Sequence, residues 1–144
     1  ILSLIEKQKL ISEGAGATPV AAALFDKLPI KGKKTVCLVS GGNIDVNILS
    51  RVITRGQVTS GRRADLVIAL ADRPGQLRDV SEIVSSCGTN VVGVQHNRSD
   101  GDMDITGCYL RLELQTRDAA QIAEIRTRLT EAGFNLIDKN AVHY

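Results

Sequence analysis

The sequence is poor in aromatic residues and has no tryptophan. Phenylalanine and tyrosine together make up 3% of its 144 residues, although the apolar fraction is 43%. That apolar fraction is typical of a globular core, which must then be built mainly from leucine, isoleucine, valine and alanine. No apolar run reaches the roughly 18 residues of a membrane span. We therefore expect a globular protein without a membrane segment.

Cysteine and histidine are scarce too. The three cysteines, Cys37, Cys87 and Cys108, are odd in number and lack the spacing of metal ligands. Cys37 lies in an apolar run and Cys87 on an apolar helical face, so we expect both as small core residues. This usage argues against a disulfide framework and favours a cytoplasmic protein. His96 and His143 are isolated, and we predict no metal site.

The net charge of +2 is the sum of two unlike halves. Residues 1–62 hold nine Lys/Arg against four Asp/Glu (+5), whereas residues 63–144 hold nine against twelve (−3). The change coincides with a polar stretch, Thr-Ser-Gly-Arg-Arg at 59–63, which is typical of a linker. We therefore predict two domains, 1–62 and 63–144.

The second half shows a complete pattern of strands and helices. Alternating or continuous apolar residues predict strands at 63–71, 90–98, 105–116 and 134–139, with a polar turn at 99–102. Apolar residues spaced as on one helical face, Leu77 among them, predict helices at 76–87 and 118–132. We expect Asp72 and Asp118 to cap these helices and Gly88 and Gly133 to end them. The order β-α-β-β-α-β is that of an α+β, ferredoxin-like domain.

The outer face of this predicted sheet limits its partners. An RNA-recognition sheet needs exposed aromatic residues and a basic face, but the third strand offers only Tyr109 and this half is acidic. We therefore expect no nucleic-acid binding. Val67, Ala69 and Ala71 are too apolar to face water entirely, so we expect a second copy or the first half to cover them.

The loop after the first strand carries the most specific signal of this half. Residues 70–77 read Leu-Ala-Asp-Arg-Pro-Gly-Gln-Leu, and residues 88–91 read Gly-Thr-Asn-Val. Backbone N–H groups of Gly75 and Gln76 at a helix start favour a carboxylate. Asp72 could accept an amino group, and Asn90 could both donate and accept. The alternative is structural: Asp72 as a helix cap and Asn90 as a turn residue.

Together these segments resemble the ACT domain, a family of small amino-acid-binding regulatory modules. The resemblance implies an amino-acid effector bound by Asp72, Gly75, Gln76 and Asn90 at an interface between two modules, and hence a homodimer. Some ACT domains only dimerise, and that reading stays open.

The first half predicts part of an α/β sheet domain. Residues 1–8 look helical, Thr18 and Pro19 suit the start of a helix that continues to 28, and a further helix runs from 43 or 44 to 55. A purely apolar run at 35–39 predicts a buried strand. It ends in Ser40, Gly41 and Gly42, a hydroxyl and two glycines at a helix start.

Two segments of this half, Glu-Gly-Ala-Gly-Ala at 13–17 and Val-Ser-Gly-Gly-Asn-Ile-Asp at 39–45, resemble the C-terminal end of the threonine dehydratase and serine racemase family. The resemblance implies the tryptophan-synthase-β fold and the cofactor pyridoxal 5′-phosphate. Ser40 would then share a hydrogen bond with the pyridine nitrogen, Gly41 and Gly42 would allow close approach, and Glu13 would lie near the pocket. Asn43 would match a residue that contacts a nucleotide effector in some relatives. The alternative is a plain strand-to-helix turn capped by Asn43.

The two resemblances together imply the C-terminal portion of an ACT-containing threonine ammonia-lyase. Such a parent converts threonine to 2-oxobutanoate and ammonia, with serine as a second substrate and isoleucine or valine as effector. We expect dimerisation through the ACT domains, with a tetramer open for the parent. The family's Schiff-base lysine and phosphate-binding glycine loop have no match here, so we predict no catalytic residues and no activity for the chain alone. The alternatives are a stand-alone amino-acid-sensing dimerisation module and a serine racemase or serine dehydratase relative.

Overall fold

The computed structural model of the chain describes residues 1–98 and 107–137. Contacts divide the chain into two compact units, Ile1–Gly56 and Gln57–Tyr144. The predicted domain boundary at residue 62 lies slightly later in the chain, and the assignment of separate roles to the two parts stays a prediction. None of the helices among the described residues is long and apolar enough to cross a membrane.

The first unit is helical where the structure describes regular elements. Its helices are α1 (Leu2–Gln8), α2 (Gly14–Leu24) and α3 (Val46–Thr59), the last of which ends in the second unit. The predicted start of α2 at Thr18 is wrong. The helix begins directly after Glu13, because Ala17 N donates to the Glu13 carbonyl at 3.0 Å and closes a turn there. Thr18 instead bonds back within the helix, donating to the Gly14 carbonyl at 3.0 Å.

The strand predicted at 35–39 is not found. Within the described part of the first unit these residues belong to no strand, and Val36 is 95% and Leu38 75% exposed. An apolar run becomes a strand only when its backbone N–H and C=O groups meet a neighbouring strand. Cys37 is accordingly half-buried outside any strand, so its predicted place in a strand core is wrong.

The second unit contains one four-stranded antiparallel sheet with two helices between its strands. Its elements are β1 (Arg63–Ala71), α4 (Gln76–Ser86), β2 (Asn90–Asn97), β3 (Gly107–Gln115), α5 (Ala119–Glu131) and β4 (Asn135–Ile137). The strands lie in the order β2-β3-β1-β4, with every neighbouring pair antiparallel. The element order is the predicted one. The predicted turn at 99–102 and the strand residues predicted at 105–106 and 138–139 lie outside the described residues.

One face of the sheet and the two helices enclose the core. Inward positions of β1 and β3 alternate with outward ones, as the period-2 pattern predicts. The buried cluster consists of Ala64, Leu66, Ile68, Leu70, Val80, Val84, Cys87, Cys108, Leu110, Leu112, Leu114, Ile125 and Leu129. Leu77 was predicted on the core face of α4, but it lies in the first turn of the helix, is 41% exposed and does not belong to the buried cluster.

The ends of α4 and α5 follow local chemistry with one exception. Gly88 and Gly133 both have positive φ, at +69° and +85°, and stop α4 and α5 as predicted. Asp118 caps α5 by accepting a hydrogen bond from Gln121 N at 2.9 Å. The prediction that Asp72 caps α4 is wrong. Gly75 is the N-cap residue, and no side chain caps this helix.

A buried amide that sequence patterns did not single out joins the two helices. Gln121 is only 3% exposed. Its Nε2 donates to the Cys87 carbonyl at 2.8 Å, and its Oε1 accepts from Arg117 N at 2.7 Å. The side chain therefore links the start of α5 to the end of α4 and satisfies polar groups that would otherwise be buried without partners.

The outer face of the sheet is partly polar. Two ion pairs cross between β1 and β3: Arg63 to Glu113 at 2.5 Å and Arg111 to Asp65 at 3.0 Å. Val67 lies on the same face and is only 3% exposed within the single chain. Cover for the remaining apolar positions by a second copy or by the first half stays a prediction.

Candidate functional site

In the first unit, the two segments singled out from the sequence meet. Glu13, the N-cap residue of α2, donates its backbone N–H to the Gly41 carbonyl at 3.3 Å. The same carbonyl accepts from Ser12 Oγ at 3.1 Å, and Ser12 is fully buried. The start of α2 is thereby fastened to the Ser-Gly-Gly turn. Ser12 was not predicted as a site residue, because a single serine between Ile11 and Glu13 carries no sequence signal.

Two glycines permit this contact. A Cβ at Gly16 would overlap the Ser40 carbonyl oxygen, and a Cβ at Gly41 would overlap a carboxylate oxygen of Glu13. Gly41 also has a φ of +82°, which side chains on L-residues rarely allow. The overlap with backbone at Gly16 and the positive φ at Gly41 therefore each require glycine, independent of any ligand.

The contact leaves a polar, accessible surface. Ser40, Gly41 and Gly42 are exposed, and the Glu13 side chain is half-buried beside them. Asn43 is exposed and does not cap α3; that alternative is wrong, because Asp45 accepts from Asn47 N at 2.8 Å. The turn can thus present one hydroxyl and open backbone to a flat polar ring. That these residues bind a cofactor stays a prediction.

In the second unit, a cavity of about 400 Å³ lies at the carboxyl end of β1. Its lining includes three of the predicted effector residues, Asp72, Gly75 and Gln76. Gly75 has a φ of +95°, and the atoms nearest its missing Cβ are side-chain ends of Arg78 and Asp79 at 3.9 Å, so the backbone at the start of α4 lines the cavity without a side chain of its own. Backbone N–H groups at a helix start can bind a carboxylate.

The charged and apolar parts of this cavity are distinct. Asp72 pairs with Arg98, whose Nε lies 3.2 Å from Asp72 Oδ1, and both side chains are substantially exposed. Leu77, the residue predicted for the core, contributes an apolar wall instead. A charged pair, open amides and an apolar wall together suit a zwitterion with an aliphatic side chain.

The floor of the cavity holds two residues that the sequence did not place together. His96 Nε2 lies 3.1 Å from Cys108 Sγ, and both residues line the cavity. Burial raises the pKa of the Cys108 thiol, and the neighbouring Asp72 carboxylate raises it further, while Arg98 acts in the opposite direction. His96 and Cys108 lie near one another because β2 and β3 pair directly, a register that the predicted hairpin could have suggested.

Asn90 does not share this cavity. It begins β2 opposite Gln115, whereas Asp72 follows the end of β1. Both β1 and β2 are antiparallel to β3 and so run in the same direction, which puts Asn90 and Asp72 at opposite ends of the sheet. A smaller cavity of about 270 Å³ lies at the Asn90 end, lined by Gln57, Arg62, Arg63, Val92 and Gln115.

Sequence comparison relates the chain to one group of curated proteins. No protein-family model matches it. It is 44% identical to an L-threonine ammonia-lyase of Thermotoga maritima and 38% identical to one of Geobacter sulfurreducens, over 94% and 96% of the chain respectively. A biosynthetic L-threonine dehydratase of Staphylococcus aureus is 37% identical over 90% of the chain.

The matches cover nearly the whole chain but only part of each relative. The chain spans about one third of their length: 34% of the two ammonia-lyases and 30% of the dehydratase. The chain is therefore homologous to a portion of threonine ammonia-lyases, as the sequence motifs predicted.

Proposed function

We propose that this chain is the C-terminal portion of a pyridoxal-phosphate-dependent threonine ammonia-lyase, and that its second unit is a ferredoxin-like ACT module that binds an amino-acid effector. The carrying observation is the match over 94% of the chain to a protein named L-threonine ammonia-lyase. These relatives are named as threonine ammonia-lyases or threonine dehydratases, which favours threonine as the substrate over the alternatives of a serine racemase or a serine dehydratase.

The first unit would contribute one wall of the cofactor pocket. The pyridoxal ring supplies an electron sink for a carbanion at Cα of the substrate. The exposed Ser40 hydroxyl suits a neutral partner for the pyridine nitrogen, since it carries no charge that would keep that nitrogen protonated. Gly41 would let the ring approach the backbone, and Glu13, packed on Gly41, would hold the turn in place.

This part of the proposal is tested in the complete protein that contains the chain. Ser40→Ala should lower the rate of 2-oxobutanoate formation from threonine about tenfold or more, because the ring nitrogen loses its partner. Ser50→Ala is the matched control, an exposed serine on α3 of the same unit. Equal turnover in both variants would refute the role of Ser40.

The second unit would bind the effector in the cavity after β1. The helix-start amides at Gly75 and Gln76 would receive the carboxylate, Asp72 the ammonium group, and Leu77 the aliphatic side chain. Isoleucine and valine fit these three requirements better than serine, whose hydroxyl would face an apolar wall.

A second copy would complete the site. β2 lies at one edge of the described sheet, and edge strands offer unpaired N–H and C=O groups. If two copies pair their β2 strands antiparallel about the middle, Asn90 of one copy lies opposite Asn97 of the other. That pairing brings Asn90 of the second copy to the end of β2 where Arg98 meets Asp72. The separation of Asp72 and Asn90 within one chain thus supports an effector site shared between copies.

Calorimetric titration of the chain with L-isoleucine and L-valine, with a chelator present and D-isoleucine as control, tests effector binding. Asp72→Ala and Asn90→Ala should each weaken binding at least about tenfold, because each removes a hydrogen-bond partner from a charged group of the effector. Val36→Asp, which changes a 95%-exposed valine of the first unit, is the control. Absence of saturable binding in the unmodified chain would contradict effector binding and would favour the alternative that the second unit only dimerises.

Mixing the two variants tests whether the site is shared. Random exchange makes half of the dimers mixed, and each mixed dimer carries one intact site of two, so about one quarter of the sites should regain full affinity. If Asp72 and Asn90 act within one chain, the mixture will bind no better than its components. Val94→Asp, near the middle of β2, should shift sedimentation toward the monomer, since like charges would meet across the axis.

A further inference from the structure

Three potential metal ligands converge at the floor of the cavity after β1. Asp72 follows β1, His96 lies on β2 and Cys108 on β3, so each comes from a different strand end. A carboxylate oxygen, a ring nitrogen and the sulfur of these residues all lie within 4.8 Å of one another. The His96–Cys108 contact is a hydrogen bond and Asp72 pairs with Arg98, but neither contact uses the ring nitrogen, the sulfur and the carboxylate together.

The sheet register explains why the two side chains point the same way. His96 lies opposite Leu110, and Cys108 is two positions before Leu110 on β3. Side chains two residues apart on a strand share a face, so His96 and Cys108 are diagonal neighbours on the helix side of the sheet. The cluster is therefore held by backbone pairing rather than by a loose loop.

We infer that His96, Cys108 and Asp72 bind a zinc ion. Nitrogen, sulfur and carboxylate oxygen form a donor set that zinc prefers, whereas magnesium and calcium avoid thiolates. With ligand distances of about 2.0–2.3 Å and tetrahedral angles, nitrogen and sulfur bound to one zinc lie about 3.5 Å apart. The observed 3.1 Å between His96 Nε2 and Cys108 Sγ differs from this by a few tenths of an ångström.

The charges around the cluster allow a cation to enter. Arg98 pairs with one oxygen of Asp72, but its side chain is 65% exposed and can turn into water at little cost. Cys108 is only 1% exposed, and a divalent cation bound beside it would stabilise its thiolate by direct charge attraction, which opposes the cost of burying that charge. The adjoining cavity leaves room for a fourth ligand, so the site would keep an open position as catalytic zinc sites do.

Cobalt titration of the metal-free chain tests the site directly, without any amino acid present. About one equivalent of Co²⁺ should produce the intense visible bands of tetrahedral coordination and a sulfur-to-cobalt charge-transfer band, and Zn²⁺ should displace both. Cys108→Ser should abolish the charge-transfer band, and His96→Ala should weaken metal binding at least about a hundredfold. Asp72→Asn should weaken it about tenfold.

Matched controls separate loss of ligands from loss of fold. Cys37→Ser and Cys87→Ser each remove a thiol outside the cluster and should leave the cobalt bands unchanged. His96 is exposed on the described sheet edge, so His96→Ala should retain the circular dichroism of the parent chain. A charge-transfer band that persists in Cys108→Ser, or metal affinity unaltered in His96→Ala, would overturn the assignment, as would the absence of cobalt bands at millimolar metal. Effector binding is measured with chelator, so either proposal can fail without the other.

Discussion

The two units differ in how much apolar surface they enclose. In the second unit thirteen residues form one contiguous buried cluster. In the described first unit only two hydrophobic residues, Leu4 and Ala17, are buried, while Phe25, Val36 and Leu38 are each more than 70% exposed. Helices nevertheless form in both units, because caps and intrahelical bonds are local. A strand requires a partner, and only the second unit supplies one among the described residues.

The largest expected effect of this difference is on core truncation. Leu110→Ala removes a fully buried side chain from the central sheet and should destabilise the second unit by about 2–5 kcal/mol. Val36→Ala, the same kind of truncation in the first unit, should change stability by less than about 0.5 kcal/mol because Val36 already faces water. Urea unfolding followed by circular dichroism measures both. Comparable losses would mean that the first unit encloses a core of its own.

Backbone packing in the first unit should be nearly as sensitive. Gly16→Ala places a methyl group against the Ser40 carbonyl and should weaken the contact of α2 with the turn by about 1–3 kcal/mol. Amide hydrogen exchange should quicken at residues 13–24 and stay unchanged at 63–71. Gly14→Ala is the control, because its Cβ meets no atom within 4 Å. Equal exchange in both variants would show that the close contact contributes no stability.

The buried amide of the second unit provides a smaller test. Gln121→Ala leaves the Cys87 carbonyl without its donor and should cost about 1–3 kcal/mol. The exposed Gln115→Ala serves as control. If both substitutions prove neutral in thermal unfolding, the Gln121 amide contributes nothing measurable, and the apolar contacts and the bond from Arg128 to Ser86 suffice to hold α4 and α5 together.

Helix caps should show the least difference between the units. Asp118→Ala in α5 and Asp45→Ala in α3 each remove a carboxylate that accepts helix-start N–H groups, at an expected cost of about 1 kcal/mol. Asp118→Asn and Asp45→Asn should restore most of it. A much larger loss at one cap would show that the local account of helix stability is incomplete there.

The same contrast explains what the sequence could predict. The six elements of the second unit follow from period-2 and helical patterns with glycine stops, since each pattern finds its partner within the unit. The strand at 35–39 was wrongly predicted because an apolar run forms a strand only where a neighbouring strand can pair with its backbone. Asp72 was wrongly placed as a cap because Gly75, with its positive φ, takes the N-cap position.

The candidate sites were predicted unevenly for a related reason. The Glu13 and Ser40 segments were identified as motifs, and the structure brings them together through glycine contacts. The His96–Cys108 pair was missed because the two residues are twelve positions apart, and their contact can be predicted only from the register of β2 on β3. Gln121 was missed because its side chain bonds to a carbonyl group at the end of another helix, a contact that no local pattern shows.

The strand order also bears on the course of synthesis on the ribosome. β1 emerges before its neighbours, yet Arg63 pairs with Gln115, and Ala69 pairs with both Tyr109 and Asn135. Among the described strands, only β2 and β3 are adjacent both along the chain and in the sheet. That hairpin should therefore form first, and β1 should then pair with the free edge of β3. Until residue 115 has been added, the backbone N–H and C=O groups of the apolar β1 lack their partners on β3. We therefore expect chaperones to bind nascent chains that stall before this point.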